Sequence, residues 1–473
     1  MDKNTELNPV ITGLIDKARA AARQVENYTQ QQIDNVCLAI AWEVYKDENI
    51  AQLARLAVEE SGMGVYEDKI KKHKGKIMGV IYDVTRPDAK SVGVISYDAE
   101  KGITKYAKPV GVVGALCPAT NPTATPGSNA VSILKGRNAV IFAPHPRSKK
   151  ASALAVEFMR RGLKKVGAPE DLIQVIAEPS IELSTQLMSA VDVVVATGGG
   201  PMVKAAYSSG TPSYGVGPGN SCTIAAEDAD VNDVAAKIFM SKTFDNATSC
   251  SSENSLIIHN SIYDKLIAAL EKLGAYSVSD KERAVLKDHM WKEDKTGHMV
   301  INMKVVCQSA VKIAADAGIT LADNIKMIMV KGDNDIEKDL FAREKLSPVL
   351  TVYRYNAFDE ALSILIRLTD NYGTGHSSGI HTFKKEYIEK LGAVMRSSRI
   401  LVRQPQAQGN GGAFFNGMPS TVTLGCGSWG GNSTTENINF RHFLNITWLS
   451  EPIERARPSD EEMWGNFFAK YGK

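Results

Sequence analysis

Apolar positions in residues 1–60 recur at helical spacing. Ile11, Leu14, Ile15, Ala18 and Ala22 share one face, and Ile33, Val36, Cys37, Ile40 and Ala41 share another, which places Cys37 in a core. The basic run KIKKHKGK at 69–76 reads as a solvated helix face. KSVGVISYDAEKGITKYAKP then reads as a hairpin turning near Glu100–Gly102, and a hairpin that leaves the body suits an oligomer arm. From 109 the pattern becomes short apolar runs, VGVVGALCP, NAVIFAPHP, DLIQVIAE, VDVVVATGGG and CTIAAE, with helical segments between them. A second series, SLIIH, KMIMV, PVLTVYRY, SSGIHTF and SRILVRQ, runs from about 255 to 425. Such alternation predicts an α/β protein of two lobes, each a parallel sheet covered by helices.

Composition narrows the class. A chain of 473 residues is too long for one compact core. Hydrophobic content of 44% and charged content of 23% suit a soluble enzyme, and a net charge of +2 gives no global reason to bind nucleic acid. The cysteines at 37, 117, 222, 250, 307 and 426 form no CxxC pair and no metal-ligand spacing, the usage of a reducing cytosol. No apolar run approaches the roughly 18 residues of a membrane span, and the N-terminus lacks a signal-peptide pattern. A cytoplasmic protein with no membrane partner is expected.

The chemistry centres on SKTFDNATSCSSENSLIIH, residues 241–259, between a helical segment from Val231 to Lys242 and the strand Ser255 to Ile258. Cys250 stands there among small hydroxyl residues that leave its sulfur open, and a thiol is the most nucleophilic side chain near neutral pH. Asn121, between prolines at a strand end, either offers its amide to an oxyanion or makes an Asx turn. FAPHPRSKK ends the next strand with His145 and Arg147, a cationic pair that suits a ribose 2′-phosphate, while Lys149 and Lys150 read as surface residues. Gly198, Gly199 and Gly200 open a helix after a strand, where bare backbone can meet a phosphate, although the run is neither GxGxxG nor a P-loop. Gly217 lies in a second glycine loop, YGVGPGN, which a tight turn would explain equally. Glu344 precedes a strand, as an exposed charge or as an acceptor for ribose hydroxyls. His376, in YGTGHSSGIH, is a proton acceptor or a CoA contact, and Cys426 is a competing thiol.

In order, TNPTATP, APHPR, TGGGPMVKAAYSSG, YGVGPGNS, SCSSEN, EKLSPVL, TGHSSGIH and LGCGSWGGNS resemble the aldehyde dehydrogenase superfamily, in its CoA-acylating branch. The resemblance covers almost the whole chain. It implies two Rossmann-type α/β lobes plus an oligomerisation hairpin: a nucleotide-binding lobe at 1–227 with the hairpin at about 92–107, a catalytic lobe at 228–424, and a C-terminal return with an oligomer strand at 425–473. It implies Cys250 as nucleophile, Asn121 as oxyanion donor, Glu344 on the nicotinamide ribose and Gly198–Gly200 at the pyrophosphate. Gly217, Pro118, Ala119 and Thr120 would also line the cofactor site, and His145 and Arg147 the adenosine ribose, favouring NADP over NAD.

Hydrolytic relatives carry a glutamate in the loop before the thiol, to activate water. Here no carboxylate lies between Tyr207 and Ala226, so coenzyme A, a far better nucleophile than unactivated water, is expected to take the acyl group. Glu253, three residues past the thiol, is the weaker candidate for a substitute base. The ATSCSSEN run looks most like acylating sulfoacetaldehyde dehydrogenases, with Thr248, Ser249 and Ser251 as donors to an anionic tail, unless these hydroxyls only bond the local backbone. Succinate semialdehyde and acetaldehyde are the alternative substrates, and a hydrolytic enzyme the further alternative. A homodimer or homotetramer is expected.

Overall fold

The computed structural model describes residues 7–473. Two parallel sheets carry the architecture. The first runs Ile173–Val175, Ala139–Ala143, Val112–Leu116, Val193–Ala196, Ser213–Gly215 in spatial order. Its middle strands are buried at every position, as expected of uninterrupted apolar runs covered on both faces. The second sheet has seven strands: Ala275–Ser277, Met327–Lys331, Val349–Tyr355, Ser255–His259, Cys222–Ala225, Ser378–His381 and Ile400–Val402. All of its pairings are parallel.

Helix ends follow local chemistry. Asn8 caps Pro9–Val25, with Pro9 in the first turn, and Thr29 with Gln32 forms a capping box on Gln30–Tyr45. Asp230 caps Val231–Thr243, the helix that leads to the thiol loop. A hairpin of Gly93–Asp98 and Ile103–Pro109 stands where the alternation predicted it. Leu444–Ser450 adds to it as a third antiparallel strand, after Ile438, Phe440 and Phe443 have returned the chain to the first core. No described helix is long and apolar enough to cross a membrane.

Three features depart from the sequence expectation. The CTIAAE strand pairs with Ser255–His259, so the chain changes sheet between Gly215 and Cys222 and not after 227. A two-stranded ribbon, Trp291–Glu293 with Met299–Ile301, was not anticipated. The basic run at 69–76 belongs to the helix Tyr66–Thr85 but is not a solvated face, because Lys69 and His73 are buried beside Ile77, Val80 and Val84.

Candidate active site

The carboxyl ends of the first sheet open onto a cleft of about 650 Å³. Pro118–Asn121 follow one of its strands, His145 and Arg147 the next, Gly198–Gly200 a third and Gly217 the edge strand, and all of them line the cleft. Thr248, Ser249, Cys250, Ser251 and Glu344 line it from the opposite side. His376 does not line it but lies directly behind the sulfur. Residues spread over more than 250 positions of sequence thus meet at one site.

The thiol loop is held under backbone strain. Asp245, Asn246 and Ala247 all have positive φ (52°, 50° and 55°), a conformation costing about 1–2 kcal/mol for each residue with a Cβ. Asp245 anchors it: Val65 N–H donates to its carboxylate at 2.8 Å, and its own N–H donates to Asp68 at 2.9 Å. Lys69 and Lys72 both pair with the buried Asp245 carboxylate, at 2.9 and 2.5 Å. Burial alone would raise its pKa, but Lys72 and Lys69 outweigh burial and hold it below the usual range. Lys72 also donates to Asn121 Oδ1 at 3.1 Å. That contact fixes which end of the Asn121 side chain is the acceptor and leaves its NH₂ as the donor end. Thr248 donates to Asp245 at 2.5 Å and accepts from Lys72, so its hydroxyl secures the loop and is not free for an anionic tail. Ser249 and Ser251 bond each other at 2.9 Å.

Cys250 Sγ lies 3.2 Å from His376 Nε2, and His376 Nδ1 lies 2.8 Å from Ser377 Oγ, which contacts Ser221 Oγ. Burial and the charges of Glu344 and Cys426 push the Cys250 thiol up to about 12, against the opposing pull of Arg399. Burial and Arg399 push His376 down to about 3. At neutral pH the pair is therefore a thiol and an uncharged imidazole. An S–H that donates to Nε2 requires the tautomer with hydrogen on Nδ1, whose partner is then Ser377 Oγ. Cys250 lines the cleft and is partly exposed, and with its thiol held up it needs a proton acceptor.

Glu344 is pushed up to about 8 by burial, against Lys242, the Gly219 N–H and Lys345. Its Oε1 is buried without a hydrogen-bond partner, so an acceptor stands ready at the cleft wall. A Cβ on Gly219 would collide with the Cys250 carbonyl and press on Glu344 Oε1 at 3.2 Å, so this loop packs on the thiol segment only as glycine. Gly199 and Gly200 present bare, exposed backbone at the start of the helix Gly200–Tyr207. Arg147 is exposed and has no carboxylate partner among the described residues, whereas Lys149 pairs with Glu178. The donor set of a dinucleotide site is therefore present: a free acceptor for ribose hydroxyls, unpaired backbone N–H groups and a free guanidinium.

Glu253 is not at the cleft. It accepts from Gln406 N–H at 2.9 Å in the interior, which removes it as a base for water. Cys426 is fully buried with its Sγ toward the Leu424 carbonyl, so it does not compete for substrate. The sequence reading missed Lys72, Asp245, Ser377 and Arg399. Lys69, Lys72, His73 and Lys76 recur at the spacing of the apolar Ile77, Val80 and Val84, and that shared face was the available signal. Arg399, which donates to the His376 carbonyl at 3.0 Å, gave no local signal.

The profile of the aldehyde dehydrogenase family matches residues 10–436. The chain is 62% identical to a sulfoacetaldehyde dehydrogenase of an Acholeplasma species, over 97% of this chain and 94% of that one. It is 56% identical to an acylating sulfoacetaldehyde dehydrogenase of Bilophila wadsworthia, over 97% and 98%. Among solved structures, a propionaldehyde dehydrogenase of Rhodopseudomonas palustris with bound CoA and an acylated cysteine superposes with a TM-score of 0.83 at 27% identity, over 93% of this chain and 97% of that one. This chain belongs to the aldehyde dehydrogenase family.

Proposed function

We propose that this chain is a CoA-acylating aldehyde dehydrogenase whose aldehyde is sulfoacetaldehyde, converted reversibly to sulfoacetyl-CoA. The observation that carries the reading is the Cys250–His376 pair, 3.2 Å apart, beside a loop at 214–220 that holds no carboxylate. The two sulfoacetaldehyde dehydrogenases of high identity supply the substrate.

Cys250 attacks the aldehyde carbon while its proton passes to His376 Nε2, whose Nδ1–H is already held by Ser377. His376 Nε2 is the acceptor within reach of that proton; with the imidazole at about 3 and the thiol at about 12 the transfer is uphill by itself, so it occurs together with formation of the sulfur–carbon bond. The Asn121 NH₂, turned by Lys72, and the Cys250 backbone N–H hold the oxyanion. Glu344, Gly198–Gly200 and Arg147 would hold a nicotinamide dinucleotide, which would supply the hydride acceptor. As the C–H pair departs, the carbonyl re-forms as a thioester on Cys250. The proton on His376 leaves to solvent; the thiol of coenzyme A then attacks this thioester, its proton passing through His376 to the departing Cys250 sulfur as the Cys250–carbon bond breaks. Glu344 is the only carboxylate lining the cleft among the described residues, and its role toward the ribose leaves no carboxylate to activate water. Arg147, with no acidic partner among the described residues, favours NADP. The sheet formed by the hairpin and Leu444–Ser450 exposes Tyr97 and Leu449 on one side and Trp448 on the other, apolar surface suited to pairing copies into a dimer or tetramer.

The test is turnover of sulfoacetaldehyde with and without coenzyme A. Steady reduction of the nicotinamide only when coenzyme A is present is the expected result. Equal rates without it, with free acid as product, would make the enzyme hydrolytic.

A further inference from the structure

The run at 69–76 holds five lysines on one helix, and four of them have a carboxylate. Lys69 and Lys72 share Asp245, Lys71 pairs with Asp68 at 3.4 Å, and Lys74 pairs with Asp47. Lys76 pairs with none among the described residues. Its hydrogen bond is to the Gly411 carbonyl, at 3.1 Å, which leaves two of its three N–H donors unused. A Cβ on Gly411 would collide both with its Nζ and with the Thr421 backbone carbonyl, so the ammonium sits against a stretch of bare backbone. Lys76 lines the same cleft as Cys250, whose lining also includes Phe244, Met303, Phe414 and Phe415. An ammonium set into a cleft wall without a counter-charge is costly unless something brings the opposite charge.

We propose that Lys76 is the residue that selects the substrate tail: it receives the terminal sulfonate of the aldehyde while the carbonyl end reaches Cys250. The proposal rests on the reading of the chain as a dehydrogenase of an anionic aldehyde. The donors of the other lysines near the thiol are already committed: Lys72 donates to Asp245, Asn121 and Thr248, and Lys69 to Asp245 and the Thr120 carbonyl. Thr248 is committed to the same carboxylate, so Ser249 and Ser251 are the hydroxyls left to share the anion. Burial and the charge of Lys72 push the Lys76 ammonium down to about 8, with only the Cys250 charge acting against them. A bound anion reverses that displacement and restores the full cation. A lysine, as a compact point charge on a flexible stem, can follow the three equivalent oxygens of a sulfonate without a fixed bidentate geometry.

The experiment measures kcat/KM of the full chain with coenzyme A for sulfoacetaldehyde, succinate semialdehyde and propionaldehyde, in wild type, Lys76→Met, Lys76→Gln and Lys76→Arg. The ratio of sulfoacetaldehyde to propionaldehyde is expected to fall about 10- to 100-fold in Lys76→Met and Lys76→Gln, through KM, the loss expected of one charged hydrogen bond. Lys76→Arg recovers most of it. Because the lone ammonium is a burden to the fold, Lys76→Met is expected to unfold at the same or a higher temperature than wild type, which a purely structural lysine would not allow. An unchanged ratio, or an equal loss for both aldehydes through kcat, overturns the proposal. A fall confined to succinate semialdehyde overturns it in favour of a carboxylate tail. A second measurement needs no turnover: ethanesulfonate should slow iodoacetamide alkylation of Cys250 in wild type and not in Lys76→Met. If wild type shows no preference for sulfoacetaldehyde yet this protection depends on Lys76, the substrate reading fails and the anion site stands. If wild type is not protected, the site itself fails.

Discussion

The two walls of the cleft are built on opposite principles. The wall from the first sheet is backbone and exposed side chains: Gly199 and Gly200 at a helix start, and Arg147 reaching out without a carboxylate partner. The wall around the thiol is dense with buried ionisable groups, and burial moves Cys250 to about 12, His376 to about 3 and Glu344 to about 8. A phosphate needs donors in the right place, and open backbone supplies them whatever its neighbours. A nucleophile needs the right protonation state, and only packing sets that. Binding on one side and reactivity on the other should therefore respond differently to substitution.

The largest expected effect tests the reactive wall. His376→Ala should slow acylation of Cys250 by about 10²–10⁴-fold at pH 7, measured as single-turnover nicotinamide reduction. The deficit should shrink as pH rises toward 10, because solvent removes a growing share of the thiol proton as pH climbs toward the Cys250 value of about 12. A loss that stays constant across that range would mean His376 only positions the sulfur.

Next comes the anchor beneath it. Asp245→Asn strands two buried ammoniums and should cost about 3–5 kcal/mol of stability at neutral pH, read from denaturant unfolding. Asp245 has a folded pKa below its unfolded value, so its stabilisation is complete above the ordinary carboxylate range. It is lost as pH falls through the folded value, and the difference between wild type and Asp245→Asn should close in acid. A gap that persists there would place the effect in loop strain and not in the ion cluster.

The smallest effect belongs to the binding wall. Arg147→Gln should lower the preference for NADP over NAD by about tenfold, the value of one charged hydrogen bond, with kcat for NAD little altered. An unchanged cofactor ratio would remove Arg147 from the 2′-phosphate. If instead it altered acylation as strongly as His376→Ala, the division between the walls would be wrong.

How much was legible follows the same division. The apolar runs announced both sheets, because continuous hydrophobic strands alternating with amphipathic helices have few other ways to be buried. They misplaced the strand Cys222–Ala225, because a four-residue buried strand carries no mark of which sheet it joins. The motif residues met at one cleft, since their spacing relative to strand ends already fixed the rim on which they sit. The lysine run was misread because charge was weighed above spacing. Its lysines repeat with the apolar stripe, yet charged side chains are seldom buried without partners, and the partner Asp245 lies 173 residues from Lys72.

The sequence by itself determined the two-sheet α/β plan, the cysteine at its centre, and the missing carboxylate in the loop before it, since each of these is a local pattern of residue types. Tertiary structure alone decided that the thiol is held protonated against a neutral histidine, that Asp245 locks the strained turn, and that one lysine of five is left without a counter-ion. Those outcomes depend on distance and on exclusion of water between segments far apart in the chain, and neither quantity is written in any one stretch of it.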